Sequence, residues 1–367
     1  MHRNHQALGA RAALHLLLPS MSKAVIKAPS FAKRLVAWQK QHGRHDLPWQ
    51  SSADPYRVWL SEIMLQQTQV VTVKAYYDKF LKRFPTVSVL ASASLDEVLG
   101  LWSGLGYYSR AKNLHLCAQM VASEHGGVFP NNKEGLQQLP GIGPSTAAAI
   151  ASLCFGKREA ILDGNVKRVL TRVHGFGHDL SHATHEKALW KIAHQALPVH
   201  ESDMPTYTQG MMDLGATLCT RSQPACARCP MQDLCVAHHE GQASRYPIKT
   251  RKLKRSAQVM WLLFVRSAEG AVWLQQRPPK GVWASLFTFP IFDSEEALLA
   301  SLSKPLQGKL QFAPAFVHVL THKDLHLHVA HLALPAAKNL GETGQWWAAQ
   351  DWPNLGLPAP VRQLLLN

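Results

Sequence analysis

The chain has 367 residues, with 39 Lys and Arg against 24 Asp and Glu, a formal net charge of +15. Hydrophobic residues at 46% and charged residues at 17% exclude an intrinsically disordered chain and supply enough apolar material for two cores. The basic surplus points to a polyanionic partner, nucleic acid first and anionic membrane second, and no apolar run is long enough to span a bilayer.

Residues 1–27, MHRNHQALGARAALHLLLPSMSKAVIK, surround a short apolar patch with Arg, Lys and His. No small-residue cleavage site follows, so they read as a disordered leader or a misassigned start, with Met21 an alternative start. Helical apolar spacing then marks 31–42, 55–83, 94–101, 109–125, 144–155, 164–174, 185–197 and 205–218. Gly and Pro punctuate these segments, at GLG 104–106, PGIGP 140–144 and DG 163–164. Residues 241–256, GQASRYPIKTRKLKRS, are basic without apolar period and predict a linker. Beyond them VMWLLFV and AVWLQQR predict adjacent strands across the turn SAEGA. Further strands are expected at 285–292, 312–320 and 325–333, with helices at 294–303 and 357–366. In DLHLHVAHL, alternation puts Leu325, Leu327 and Val329 on one face and His326 and His328 on the other. The pattern predicts a mainly α domain over 28–240 and a smaller α+β domain over 257–367.

One helical segment carries an anomaly. In WLSEIMLQQTQV (59–70), Glu62 sits among Trp59, Leu60, Ile63, Met64 and Leu65. A carboxyl buried there tends to keep its proton near neutral pH, the state needed in a general acid. The ordinary alternative is a solvent-facing edge of the helix. Downstream, Asp163 in ILDGNVKRVL is placed to cap the helix that follows. Its functional reading is a carboxylate held ionised by that helix terminus, facing positive charge that develops on a sugar. One protonated acid and one carboxylate are the pair that glycosidic cleavage uses.

LPGIGPSTAAAI (139–150) places Pro-Gly-x-Gly before a small-residue helix, with a short helix expected at 132–139. The outward N–H groups of such a helix-hairpin-helix turn can grip a phosphate without touching a base. Cys219-x6-Cys226-x2-Cys229-x5-Cys235 packs four thiols into seventeen residues, which points to metal in a reducing compartment. Zinc or an iron–sulfur cluster would satisfy four thiolates; the single C-x2-C favours a four-iron cluster in one compact loop. Cys117 and Cys154 lie in apolar helical segments and read as core. His174, His178 and His182 lack a consistent ligand spacing.

The hairpin, the Asp eighteen residues past Ser145 and the cysteine spacing together resemble the endonuclease III superfamily of DNA glycosylases. WLSEIMLQQTQV, GLGYYSRAKNL (104–114), ILDGNVKRV and MMDLGATLCT (211–220) are similar to the MutY-type adenine DNA glycosylases, over about 30–240. WLQQRPPKGVWASLFTFP (273–290) resembles the MutT-related recognition domain of that family. No G-x5-E-x7-R-E-x2-E-E box is present there, so no pyrophosphatase activity is expected.

The resemblance implies a two-lobed helical glycosylase domain with a helix-hairpin-helix and a 4Fe-4S loop on Cys219, Cys226, Cys229 and Cys235, followed by a MutT-like (Nudix-like) domain. It implies a monomer acting in the cytoplasm, at a bacterial nucleoid, on double-stranded DNA with adenine opposite 8-oxoguanine or guanine. By this likeness Glu62 protonates the extruded adenine at N7 and helps activate water, Asp163 stabilises the oxocarbenium-like sugar, and Asn165 lies near that sugar. Gln67 and Tyr107 match residues that wedge into the duplex, Gly141, Gly143 and Ser145 belong to the DNA-gripping hairpin, and Lys167 is a phosphate contact or a weak trap for product. Bifunctional relatives carry a nucleophilic Lys where this chain has Ser145, and a hydroxyl cannot form a Schiff base. The implied enzyme is therefore monofunctional and leaves an abasic site. The family's Phe-Ser-His that probes the damaged guanine corresponds to Leu320-Thr321-His322, a departure at its first position. Ser145 and the additional C-terminal domain argue against a relative acting on oxidised pyrimidines, and Glu62 and Asp163 within matching motifs argue against a DNA-binding protein that uses its cluster without catalysis.

Overall fold

The computed structural model describes residues 28–251, 254–338, 340–341 and 343–367; the 1–27 leader lies outside them. The helical part opens with α1 (Ala28–His42), α2 (Pro55–Leu65) and α3 (Val70–Arg83). It continues through α4 (Val87–Ser92), α5 (Leu95–Trp102), α6 (Ser109–Glu124) and the short α7 (Lys133–Gln137). α8 (Pro144–Phe155), α9 (Gly164–His174), α10 (Ala183–Gln195) and α11 (Met204–Asp213) follow, and α11 runs into a π turn at Leu214–Leu218. Caps set many of the starts: Asp54 accepts from the Tyr56 N–H, Ser94 from Glu97, Asn132 from Gly135 and Asp163 from Val166.

These helices form two lobes. One core gathers Trp59, Leu60, Met64, Tyr77, Phe80 and Trp102 from α2 to α5, with further residues from α6 to α8. The second gathers α1 with α9–α11 around Leu35, Val166, Leu170, Met204 and Leu214. α8 belongs to both: Ala147, Ile150 and Ala151 face the first core, Ala148 and Ala149 the second. A helix pressed from two sides has room only for small side chains, which accounts for the run PSTAAAIASLCF.

The segment expected as one helix over 55–83 is two, because α2 stops at Leu65 and Gln67 takes a left-handed backbone with φ 58°. α4 was not anticipated from the apolar period.

After the cysteine loop and a short α12 (Val236–His239), the chain crosses to the sheet. Residues of the basic stretch are tied down on the way: Ile248 accepts the Leu180 N–H, and Thr250 and Arg251 donate backbone N–H groups to Asp179 and Ser181. The sheet has β1 (Ser256–Ser267), β2 (Val272–Gln276), β3 (Phe287–Thr288), β4 (Ile291–Phe292), β5 (Gln311–Phe312), β6 (Phe316–Val319), β7 (Lys323–Leu334) and β8 (Gly344–Trp347). β1 and β7 pair in parallel along all twelve residues, from Ser256↔Lys323 to Ser267↔Leu334. Helices α13 (Glu295–Ala300), α14 (Lys304–Gln307) and α15 (Ala359–Leu366) complete this part. As alternation required, Leu325, Leu327 and Val329 share one core face, while His328 stacks on Trp261 at 4.4 Å on the other. The strands expected at 285–292 and 312–320 each split in two, at Phe289-Pro290 and around Pro314, where proline removes a ladder donor. β8, which pairs with β2, was not anticipated.

The two parts meet tightly. Leu286 of the sheet region is buried in the first helical core. The Ser103 and Tyr108 hydroxyls donate to the Leu357 carbonyl at 3.1 and 2.6 Å, and the Gln276 amide donates to Asp96 at 2.9 Å.

Candidate active site and DNA-facing surface

Glu62 projects from α2 into an open cavity of about 480 Å³ at the meeting of the lobes, walled by Trp49, Val58, Leu65, Val70 and Leu153. Burial pushes its carboxyl up to about 7, and the charge of nearby Asp163 adds to the shift. Near neutral pH its protonated form is therefore substantially populated. Glu62 is half-buried and lines the cavity, flanked by buried Ser61 and Ile63.

Asp163 comes from the other lobe. It caps α9, accepting the Val166 N–H at 2.8 Å. The sequence led to a carboxylate governed by the helix terminus, yet the direction is the opposite: confinement raises its pKa, outweighing the Val166 and Asn165 N–H groups and the Arg168 and Lys167 charges. Asp163 is exposed at the surface. Asp163 sits beside the Glu62 cavity, not in its lining, and is close enough for its charge to act on Glu62.

Three site candidates near Asp163 are already engaged. The Ser145 hydroxyl accepts the Leu162 N–H at 3.0 Å and so braces the loop that carries Asp163. The Asn165 amide oxygen accepts from Arg168 at 2.8 Å, and Arg168 also reaches the carbonyls of Gly215 and Cys219. A Cβ on Gly215 would stand 2.7 Å from the Asn165 Cβ, which explains the glycine in MMDLGATLCT. Lys167 is paired with Glu186 at 2.7 Å.

The hairpin presents Gly141 and Gly143 to solvent. Gly141 has φ +78°, and a Cβ there would come 2.8 Å from the Asn113 Cβ. Gly143 caps α8 with no side chain covering the first-turn N–H groups, and Pro144 fills the first helical position. That leaves a bare helix terminus fit for a phosphate. Between the hairpin and the α2–α3 turn lies a second concavity of about 260 Å³, whose lining includes Gln66, Gln67, Tyr107, Asn113 and Gly141. Gln67 and Tyr107 are both exposed and both left-handed, with φ 58° and 48°. The Tyr107 hydroxyl lies 2.8 Å from the Thr321 hydroxyl, so the β6–β7 turn carrying Leu320, Thr321 and exposed His322 reaches the same surface.

Sequence reasoning missed two constellations. Asp213, fully buried, accepts from the Arg44 backbone N–H and guanidinium at 2.9 and 2.7 Å and from Gln209 at 2.8 Å, and Arg44 and Gln209 line the Glu62 cavity. The signal that flagged Glu62, a carboxylate in an apolar helix, applies equally to Asp213. The other is Arg110, whose buried guanidinium meets six acceptors.

Cys219, Cys226, Cys229 and Cys235 line one small cavity, and all six cysteines are free thiols. The Arg172 guanidinium lies 3.3 Å from the Cys219 sulfur, a favourable partner for a thiolate. Among the described residues no three His, Cys, Asp or Glu side chains are arranged to hold one metal ion.

The lobes, the hairpin and the carboxyl pair define a DNA glycosylase of the base-excision class, and residues 60–195 match the HhH-GPD superfamily base excision DNA repair protein model. Residues 260–367 match the NUDIX domain model. The chain is 38% identical over 342 residues to an adenine DNA glycosylase of Buchnera aphidicola subsp. Acyrthosiphon pisum, covering 92% of this chain and 97% of that protein. It is 38% identical over 405 residues to an adenine DNA glycosylase of Mus musculus, covering 93% and 78%. A solved thermostable thymine-DNA glycosylase superposes with TM-score 0.52 at 30% identity, over 58% of this chain and 97% of that one. The chain belongs to the adenine DNA glycosylase family.

Proposed function

We propose that this protein hydrolyses the N-glycosidic bond of adenine mispaired with 8-oxoguanine or guanine in duplex DNA, and leaves an abasic site without cutting the strand. The observation that carries the reading is Glu62, a carboxyl poised near pH 7 in a cavity beside a second carboxylate. An adenine turned out of the stack enters that cavity, because its glycosidic bond is out of reach in a duplex. Glu62 gives its proton to N7, the C1′–N9 bond breaks, and its electron pair leaves with the base. Positive charge on the sugar faces the Asp163 carboxylate. Water adds to C1′ and passes its proton to the carboxylate that Glu62 has vacated. No amine stands at Ser145 to attack C1′, and its hydroxyl is committed to Leu162.

Domain roles follow. Residues 28–240 carry the chemistry, 241–256 connect, and 257–367 present the Leu320-Thr321-His322 turn to the base opposite adenine. The protein works as a monomer on chromosomal DNA in the cytoplasm. Gly141, Gly143 and Lys167 meet phosphates, with Lys167 leaving Glu186 to do so. Cys219, Cys226, Cys229 and Cys235 would hold a 4Fe-4S cluster. Four thiols lining one cavity, with a single C-x2-C and outer spacings of six and five, favour a polynuclear cluster over zinc. When bound, the cluster supplies a covalent brace for its loop and a site for electron exchange. Anaerobically purified protein is expected to be brown and to contain four irons per chain; stoichiometric zinc in a colourless preparation rejects the assignment.

A duplex with adenine opposite 8-oxoguanine tests the function. Strand breakage only after alkali supports a monofunctional glycosylase, breakage without alkali indicates a lyase, and none after alkali indicates binding without catalysis.

A further inference from the structure

We infer that Arg110 is a positioning residue that holds the two duplex-probing loops, those of Gln67 and Tyr107, in register with each other and with the helix of Glu62. The inference rests on the proposed extrusion of a base.

Arg110 lies in the first turn of α6, one residue past Ser109, and is 7% exposed. One terminal nitrogen donates to the carbonyls of Ile63 and Met64, each at 2.9 Å, and of Gln66. The other donates to the Thr68 hydroxyl at 3.1 Å and to the carbonyls of Leu105 and Gly106, each at 3.2 Å. The first set is the C-terminal end of α2, where carbonyls lack helical partners and the helix dipole is negative. The second set reaches the turn after Gln67 and the loop before Tyr107. None of these partners is a carboxylate. Burial lowers the guanidinium only to about 10, so it stays charged at neutral pH and its charge rests on backbone dipoles.

The same two loops hold two of the four non-glycine residues with positive φ among the described residues. Left-handed backbone at Gln and Tyr is costly and persists where surroundings over-determine it. Arg110 supplies that determination on both sides at once. Its guanidinium carbon lies 5.5 Å from the centre of the Tyr107 ring and 5.2 Å from that of Trp102, whose indole N–H donates to the Gly106 carbonyl at 3.1 Å. A planar fork with parallel donors can do this; an ammonium cannot.

Arg110→Lys keeps the charge and loses the fork. The probe is a duplex with 2-aminopurine opposite 8-oxoguanine, whose fluorescence rises when the purine leaves the stack. The wild type is expected to bind and give the rise. Arg110→Lys is expected to bind with the same salt dependence and to give about tenfold less extrusion. In a Gln67→Ala/Tyr107→Ala background the Lys substitution is expected to change extrusion less than about twofold, because its effect runs through those side chains. A general loss of folding would lower both backgrounds equally. Wild-type extrusion by Arg110→Lys overturns the inference, as does a full repeat of its loss in the double-alanine background. If the wild type itself gives no rise, the extrusion reading fails and the inference with it. Should Arg110→Lys not fold, Thr68→Val removes one acceptor of Arg110, together with the weak Thr68 bond to the Gln66 carbonyl, and is expected to lower extrusion about threefold; unchanged extrusion overturns the inference.

Discussion

At Glu62, the property that makes a general acid also makes a weak point in the fold. Burial pushes its carboxyl up to about 7, and the nearby Asp163 charge adds to the shift. Folding therefore favours the protonated form, and stability drops as pH rises from the unfolded value near 4.5 through 7. Below that window neither state carries the charge; above it, the folded state bears the full cost of burying one. Glu62→Gln removes that cost. The variant is expected to be more stable than the wild type at pH 8 by about 1–3 kcal/mol, with the gap closing toward pH 4.5. Thermal unfolding of both proteins across that range measures it, and a gap that widens on acidification contradicts the assigned shift. The same variant is expected to bind the mispaired duplex and release no adenine, since an amide is too weak an acid to protonate the base. Wild-type turnover in Glu62→Gln removes the residue from the chemistry. Single-turnover base release by the wild type should fall as pH rises past 7, following loss of that proton.

Among the elements, α8 explains how two lobes share one cleft. Ala148 and Ala149 face one core while Ala147, Ile150 and Ala151 face the other, so neither side has spare volume. Ala148→Leu is expected to cost about 1–3 kcal/mol in thermal unfolding, from overpacking against the second lobe. A stability loss within a few tenths of a kcal/mol would show that the lobes have slack there. This helix was legible in the sequence, as were the hairpin before it and the cap at Asp163, because local residue types set them. The placement of Glu62 in a cavity was legible because charge in an apolar helix is rare enough to demand a reason. The break after Leu65 was not. It depends on Arg110, more than forty residues away, drawing off the carbonyls that would have continued α2. The parallel pairing of β1 with β7 was equally hidden, since alternation fixes a strand's faces and says nothing of its neighbour. Asp213 carried the right signal and was passed over because its partner Arg44 lies 169 residues away.

Across the whole molecule, placement of the β6–β7 turn against Tyr107 depends on how firmly the sheet part sits on the helical part. Backbone meets backbone there. A Cβ on Gly100 in α5 would stand 2.0 Å from the Asn354 carbonyl oxygen, and one on Gly356 would stand 2.7 Å from the Leu99 Cβ. Neither neighbour is the end of a flexible side chain, so nothing local can yield. Gly100 has an ordinary helical backbone, so alanine there should leave α5 intact and strengthen it slightly as an isolated helix. Its penalty falls on docking alone. Gly100→Ala is therefore expected to pull residues 352–357 off α5, weakening the Ser103 and Tyr108 hydrogen bonds to Leu357. Without that seat, the Thr321 hydroxyl loses its fixed place beside Tyr107. The variant should expose the 241–256 connection to limited proteolysis and expand in solution scattering, while the helical part keeps its own melting transition. It should still bind duplex DNA through the hairpin. Its preference for adenine opposite 8-oxoguanine over adenine opposite thymine should fall about tenfold, the loss expected when one polar contact to a base is misplaced. Unchanged scattering and unchanged preference in Gly100→Ala would mean that the two parts tolerate a gap at α5 and that the turn is held by something other than this interface.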